Sequence, residues 1–204
     1  MCDHRGPFGK TSLSRDNYCP LLMHDPNPDT DQLLQRAAAG EQAATQELLT
    51  RYRPRLRRMV VVHQDQRISA TVDPSDVVQE TLTEAFQRLP EYIREHPVSF
   101  YPWLRQIAWQ RLVKLHRDHI TRARRSVERE DDVPLPHASA LELADKLASS
   151  RTEPGQRLVR QELRDRVRAA LDRLRPQDRT LLVMRYLEHM TLTEITEAQE
   201  ITAS

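Results

Sequence analysis

The sequence predicts an all-α protein, with two small helical domains joined by an acidic linker. Three observations carry this. Only 4 of the 204 residues are Gly and 5% are aromatic, which disfavours barrels and sandwiches built on Gly turns and β-branched or aromatic strands. Ala, Leu, Arg, Glu and Gln are abundant, and their side chains lose little freedom in a helix. Apolar residues recur at helical spacing on both sides of a Pro- and Ser-containing acidic stretch.

Residues 1–28 hold Gly6, Pro7, Gly9, Pro20, Pro26 and Pro28 without a helical period, and read as a disordered tail. Cys2, His4, Cys19 and His24 lie in it, at a spacing that fits no common zinc finger. Asp29 or Thr30 can cap a first short helix ending at Gly40. A longer helix is expected from Glu41 to about Gln64, on the spacing of Ala44, Leu48, Tyr52, Leu56, Met59 and Val60. Pro54 should kink or divide it. Arg51, Arg53, Arg55, Arg57 and Arg58 place five positive charges within eight residues.

Asp73-Pro74-Ser75-Asp76 is a helix start, with Asp73 as cap, Pro74 at the first helical position and Asp76 where a capping-box acid belongs. This helix is expected to end near Arg88, before Pro90. Val78, Leu82, Ala85, Phe86 and Leu89 form its apolar face. Asp76, Glu80, Thr83 and Gln87 fall on another face, with Gln79 beside them. Ser99 caps the next helix, to about Arg122. Leu104, Ile107, Ala108, Leu112 and Leu115 make its buried stripe, while Gln106, Gln110, Lys114 and Arg117 recur on a different side. Between Trp103 and Arg125, seven basic residues stand against one acid, a local charge of +6.

The balance then inverts. Residues 126–154 carry three basic residues and seven acids, a charge of −4, together with Pro134, Pro136 and several Ser. This is the expected linker, with a short helix around Leu141 to Leu147. The boundaries that follow are a tail at 1–28, a first domain at 29–125, the linker at 126–154 and a second domain at 155–204. In the second domain Val159, Leu163, Val167, Ala170, Leu171 and Leu174 form one stripe. Pro176 opens a helix with Leu181, Leu182 and Tyr186 facing inward, and Thr191-Leu192-Thr193-Glu194 is a capping box before a last helix.

The same composition narrows the function classes. The longest apolar run, Met59 to Val62, is far short of the roughly 20 residues that span a bilayer, and the N-terminus has no apolar signal core. A cytoplasmic protein without a disulfide framework is expected. There is no Gly-rich phosphate loop and no nucleophile–base arrangement. The expectation is a binding protein, not an enzyme, with no cofactor and no metal. The formal net charge of +1 conceals a basic helix and an acidic linker, and the distribution points to nucleic acid.

Three strings taken in order, DPSDVVQETLTEAF (73–86), FYPWLRQIAWQRLVKLHR (100–117) and LDRLRPQDRTLLVMRYLEHMTLTEITEAQEI (171–201), resemble an extracytoplasmic-function type sigma factor of bacterial RNA polymerase. The resemblance covers about residues 30–125 and 155–204 and implies sigma region 2 and region 4 domains. It implies that Asp76, Gln79, Glu80 and Thr83 bind the clamp helices of the largest polymerase subunit. On spacing alone, Asp76 as a cap and Glu80 as solvated surface suffice. It implies that the helix of Trp103 to Arg117 reads the opened minus-ten promoter strand. Arg105, Arg111, Lys114 and Arg117 then supply cations for phosphates, Gln106 and Gln110 amides for base edges, and Trp109 a stacking face. Trp103 is expected to pack the domain, and His116 and His119 to be phosphate neighbours or surface. The implied partners are core polymerase, promoter DNA and an anti-sigma factor, with no membrane. In the helix-turn-helix, Gly normally stands near the position of Glu200, and the recognition helix should begin near Ser204, so readout of the minus-thirty-five element is not assigned. The competing readings are a truncated sigma-like module that titrates core polymerase or an anti-sigma factor, and a stand-alone helix-turn-helix regulator.

Overall fold

The computed structural model describes residues 28–95, 97–120, 135–149 and 157–203. The regular elements among them are all helical. The tail with its Cys and His residues lies outside the described residues, apart from Pro28, as does most of the acidic stretch before Leu135. Among the described residues no helix is long and apolar enough to cross a membrane.

Helix α1 (Pro28–Ala38) begins before both candidate caps. Thr30 is buried and shares a 2.8 Å hydrogen bond with the Tyr52 hydroxyl, so it ties α1 to its neighbour instead of capping it. Gly40 ends the turn with φ of 88°, a conformation that side chains with Cβ rarely adopt. Helix α2 (Gln42–His63) runs through Pro54 undivided. Pro54 is exposed, whereas Leu48, Leu49, Tyr52, Leu56, Met59 and Val60 are buried on either side of it. The packed face holds the helix where the missing N–H would weaken it.

A single turn, α3 (Gln66–Ser69), precedes α4 (Pro74–Glu95). The Asp73 cap is present: its Oδ1 accepts from the Ser75 N–H at 2.7 Å, and that bond holds its carboxyl below the usual range. The expected end near Arg88 is corrected, because α4 continues past Pro90. Leu89 and Tyr92 are buried around that proline, and the Tyr92 hydroxyl donates to the Val98 carbonyl at 2.9 Å. Phe86 is also corrected: it is 50% exposed, and the buried face instead uses Val77, Val78, Thr81, Leu82, Ala85 and Leu89. Helix α5 (Phe100–Ile120) carries Pro102 in its first turn, where the absent N–H breaks no helical bond. Ser99 does not cap it through its side chain. The Ser99 N–H and hydroxyl both donate to the Glu197 carboxylate, at 3.3 and 3.1 Å.

Beyond the acidic stretch lie α6 (His137–Ser149), α7 (Arg157–Asp172), α8 (Pro176–Tyr186) and α9 (Leu192–Ala203). Val183 and Met184 are the buried residues of α8, while Leu181 and Leu182 are only partly covered and Tyr186 is 42% exposed. The expected inward face was thus displaced around the helix. In the α8–α9 turn His189 takes φ of 57°. The left-handed residue therefore precedes α9, and Glu200, near whose position a Gly was expected, lies within the helix. The predicted capping box is present: Glu194 N–H donates to Thr191 Oγ1 at 3.2 Å, and Thr191 N–H donates to Glu194 Oε2 at 2.8 Å.

The buried residues form two clusters. One joins α1, α2, α4 and α5 to Met184, Met190, Ile195 and Ala198 of the C-terminal helices. The other joins Leu143, Ala144, Leu171, Val183 and Leu187 to Val62 of α2. The α8–α9 block therefore packs directly on α2 and α5, continuous with the core of the N-terminal bundle.

Candidate nucleic-acid and polymerase interface

Helix α4 presents Asp76, Gln79, Glu80, Thr83 and Gln87 as an exposed strip, with Phe86 exposed at its edge. The capped start fixes the helical phase, and the apolar residues turned onto α2 and α5 leave these polar ones outward. Gln79 accepts from Arg53 of α2 at 3.1 Å. Thr83 donates to the Gln79 carbonyl at 2.9 Å, within its own helix. Glu80 is paired with Arg111 of α5 at 2.5 Å, and Arg111 also reaches Glu84 at 2.8 Å. Two of the expected surfaces, the acidic strip and the basic helix, thus meet along the α4–α5 groove.

Along α5 the predicted DNA-facing residues divide into two sets. Gln110, Lys114 and Arg117 are exposed, and Gln106 is half-buried. Among the described residues, Lys114 and Arg117 have no ion-pair partner. Arg105 is different: it is 3% exposed. Its Nε and Nη2 donate to Glu188 at 2.7 and 2.9 Å. An accessible cation at that position is therefore corrected for this conformation. Arg111 is engaged too, though at a partly solvated site. Trp109 is half-buried, with its ring edge-on to His63 at 5.0 Å and the Arg105 guanidinium 5.6 Å from its centroid. It packs between these side chains and is not the freely exposed stacking face that was expected. Trp103 packs as expected, against Tyr92 at 4.5 Å and Phe100 at 5.5 Å. His116 is buried, not superficial. Its Nε2 faces the His63 carbonyl at 3.4 Å, and burial lowers its pKa. The side chain of His119 lies outside the described residues.

A cavity of about 430 Å³ opens at the N-terminal half of α5, lined by Arg88, Pro97, Val98, Trp103, Gln106, Ile107, Gln110 and Glu200. It combines an indole, two amides and a guanidinium, the set of groups that can hold a flat heterocycle by stacking and by hydrogen bonds to its edge.

Sequence reasoning missed the acids that reach α2 and the α5 region from the C-terminal block. Glu188 is fully buried and accepts from Arg105 and from the His63 ring N–H at 2.8 Å. Burial opposes its ionisation, yet Arg105 first and His63 second hold its carboxyl well below the ordinary carboxylate range. Glu194 takes two bonds from Arg55, at 2.6 and 2.7 Å, while the Arg55 guanidinium lies 3.5 Å from the Tyr101 ring centroid. Burial works against the Arg55 charge, but Glu194 keeps it raised above its usual value. Glu197 holds Ser99. A signal for part of this set was present: Glu194, Glu197 and Glu200 recur every third residue and share one face of α9. Glu188 had none, because its partner stands 83 positions away.

Among the described residues no group of His, Cys, Asp or Glu is arranged to hold a metal ion. The search of curated proteins and the search of solved structures each return no match. Residues 48–125 match a family model, described as Sigma-70 region 2. The match takes in most of α2 together with α4 and α5, the helices that carry the exposed acidic strip and the basic side chains, and so this segment is similar to Sigma-70 region 2.

Proposed function

We propose that this chain is an alternative sigma factor of the extracytoplasmic-function type, which brings bacterial RNA polymerase to promoters and helps to open them. The region 2 match over 48–125 carries the reading, and its geometry supports it. The α4 strip of Asp76, Gln79, Glu80 and Thr83 is the polymerase-binding face, where carboxylates and amides pair with Arg and Lys of a partner helix and set its register. Lys114, Arg117, Gln110 and Gln106 form the DNA face, with Arg105, Arg111 and Trp109 joining it once their present partners release them. The cavity beside Trp103 and Gln106 suits an unstacked base. In this reading 29–125 is the region 2 unit, 126–154 the linker and 155–204 the region 4 unit, and the chemistry belongs to the polymerase. An anti-sigma factor is the further partner of this assignment.

The test is a pull-down with core polymerase. Asp76→Arg with Glu80→Arg should weaken capture at least tenfold without lowering the melting temperature by more than a few degrees. Unchanged capture would remove α4 from the polymerase interface.

A further inference from the structure

We infer that the turn between α8 and α9 forms an anion site with α2 and α6, in which Arg58, Lys146 and His189 hold the terminal phosphate of a small molecule. The three side chains come from three elements. Arg58 of α2 is exposed, and its Nη1 stands 2.6 Å from His189 Nε2. Lys146 of α6 donates to the carbonyl of Tyr186, just before the turn, at 3.0 Å. Arg55 of α2 approaches the His189 carbonyl at 3.5 Å, but its charge is taken by Glu194. Among the described residues no carboxylate pairs with Arg58. Lys146, Arg58 and Arg55 act on the His189 ring as positive charges, and the acid that opposes them is Glu142 of α6. The turn thus gathers more positive charge than its own carboxylates balance.

The backbone singles out the same spot. His189 has φ of 57°, a conformation that glycine adopts without cost and that other residues keep mainly where the surroundings demand it. Here it turns an imidazole onto a guanidinium. Arg58 can donate to that ring only while Nε2 is unprotonated, and burial together with the surrounding cations lowers the ring's pKa. A bound dianion reverses this. It accepts from Arg58 and Lys146, and the ring can then take up a proton and donate as a third partner. A terminal phosphate fits the set, because a planar fork and an ammonium match its oxygens and its second ionisation lies near pH ~6, close to that of an imidazole. A phosphodiester of a nucleic-acid backbone carries a single charge and gives the ring less reason to protonate. The site uses no residue of the α4 strip or of the DNA face on α5, so it stands apart from the roles proposed for them.

The decisive experiment titrates the full chain with inorganic phosphate and with sulfate, following the His189 ring by NMR. His189→Asn identifies its resonance, and Asn tolerates the left-handed backbone. The ring should titrate below 6.5, its ordinary value, in the free protein and above it when phosphate saturates the site. Sulfate stays a dianion at neutral pH, so its binding reports the protein's proton alone; it should be at least about threefold tighter at pH ~6 than at pH ~8. Arg58→Gln, Lys146→Gln and His189→Asn should each weaken phosphate at least about tenfold, with helical circular dichroism retained. Lys114→Ala with Arg117→Ala should leave phosphate binding unchanged. A His189 pKa that does not move with phosphate, sulfate binding independent of pH, or unchanged affinity in Arg58→Gln and His189→Asn would each overturn the site. So would the absence of any shift in the wild type up to about 10 mM phosphate. Duplex DNA of random sequence is the last arm. Should it displace phosphate from the wild type and lose its own affinity in Arg58→Gln, the cluster is a backbone contact and the small-molecule assignment fails.

Discussion

Glu188→Gln is the most informative single substitution for the architecture. The side chain keeps its size but loses its charge and one acceptor oxygen. Arg105 donates to the carboxylate at 2.7 and 2.9 Å and the His63 ring at 2.8 Å, all without solvent. After the change the Gln carbonyl oxygen can satisfy one Arg105 donor, while its NH₂ group faces the other. The guanidinium stays charged and buried with no counter-ion. Removing one partner of a buried ion pair in this way costs about 3–5 kcal/mol, a large part of the roughly 5–15 kcal/mol that stabilises an ordinary domain. For a chain of this length about 2–4 °C follows from each kcal/mol, so the melting temperature should fall by about 6–20 °C. Urea unfolding followed by circular dichroism gives the free energy directly. Arg105→Met combined with Glu188→Met should recover most of the loss, because an apolar pair of similar volume leaves no buried charge. A cost below about 1 kcal/mol for Glu188→Gln would refute the reasoning. So would a double variant no more stable than the single one.

Other consequences are measurable in the same material. Lys114→Ala with Arg117→Ala should reduce the slope of log affinity against log salt by about 1–2 in binding to single-stranded DNA, since each phosphate-neutralising cation contributes about 0.7 to that slope. Thr191→Ala should cost about 1 kcal/mol in urea unfolding by removing the cap of α9, with faster exchange of the Glu194 amide. Stability should fall on acidification in two stages. Burial depresses the pKa of His116, and burial with the nearby Lys146, Arg58 and Arg55 charges depresses that of His189. Each favours the neutral ring when folded, so their contribution is present above the ordinary value of 6.5 and is lost as pH falls through the lowered folded value. Glu188 is depressed as well; its contribution is present above the ordinary 4.5 and is lost below it. Melting temperatures that stay flat from pH 7.5 to 5 would contradict the first stage.

The helices were legible where local chemistry decides them. Asp73 and Pro74 fix the start of α4, and Thr191 with Glu194 fixes that of α9, because caps act over three or four residues. Pro90 misled for the opposite reason: a proline signals a break locally, but Leu89 and Tyr92 are held by burial against distant residues. Phe86 lies at the edge of the α4 stripe, where exposure depends on how far the neighbouring helix reaches. The charge pattern was half legible. Counting +6 along residues 103–125 treated every cation as available, whereas Arg105 is neutralised by Glu188 and Arg111 by Glu80 and Glu84. Those partners lie 83, 31 and 27 positions away, and no helical period reaches that far. What survives as open positive surface on α5 is Lys114 and Arg117.

Under the proposed function, this chain together with core polymerase captures a particular opened DNA strand. Selection from a library of bubble DNA with a randomised unpaired segment tests it most directly. With core polymerase and the wild-type chain, a defined sequence should be enriched in one unpaired strand, and the enrichment should disappear with Lys114→Ala and Arg117→Ala. Enrichment no greater than that given by core polymerase alone would contradict the account.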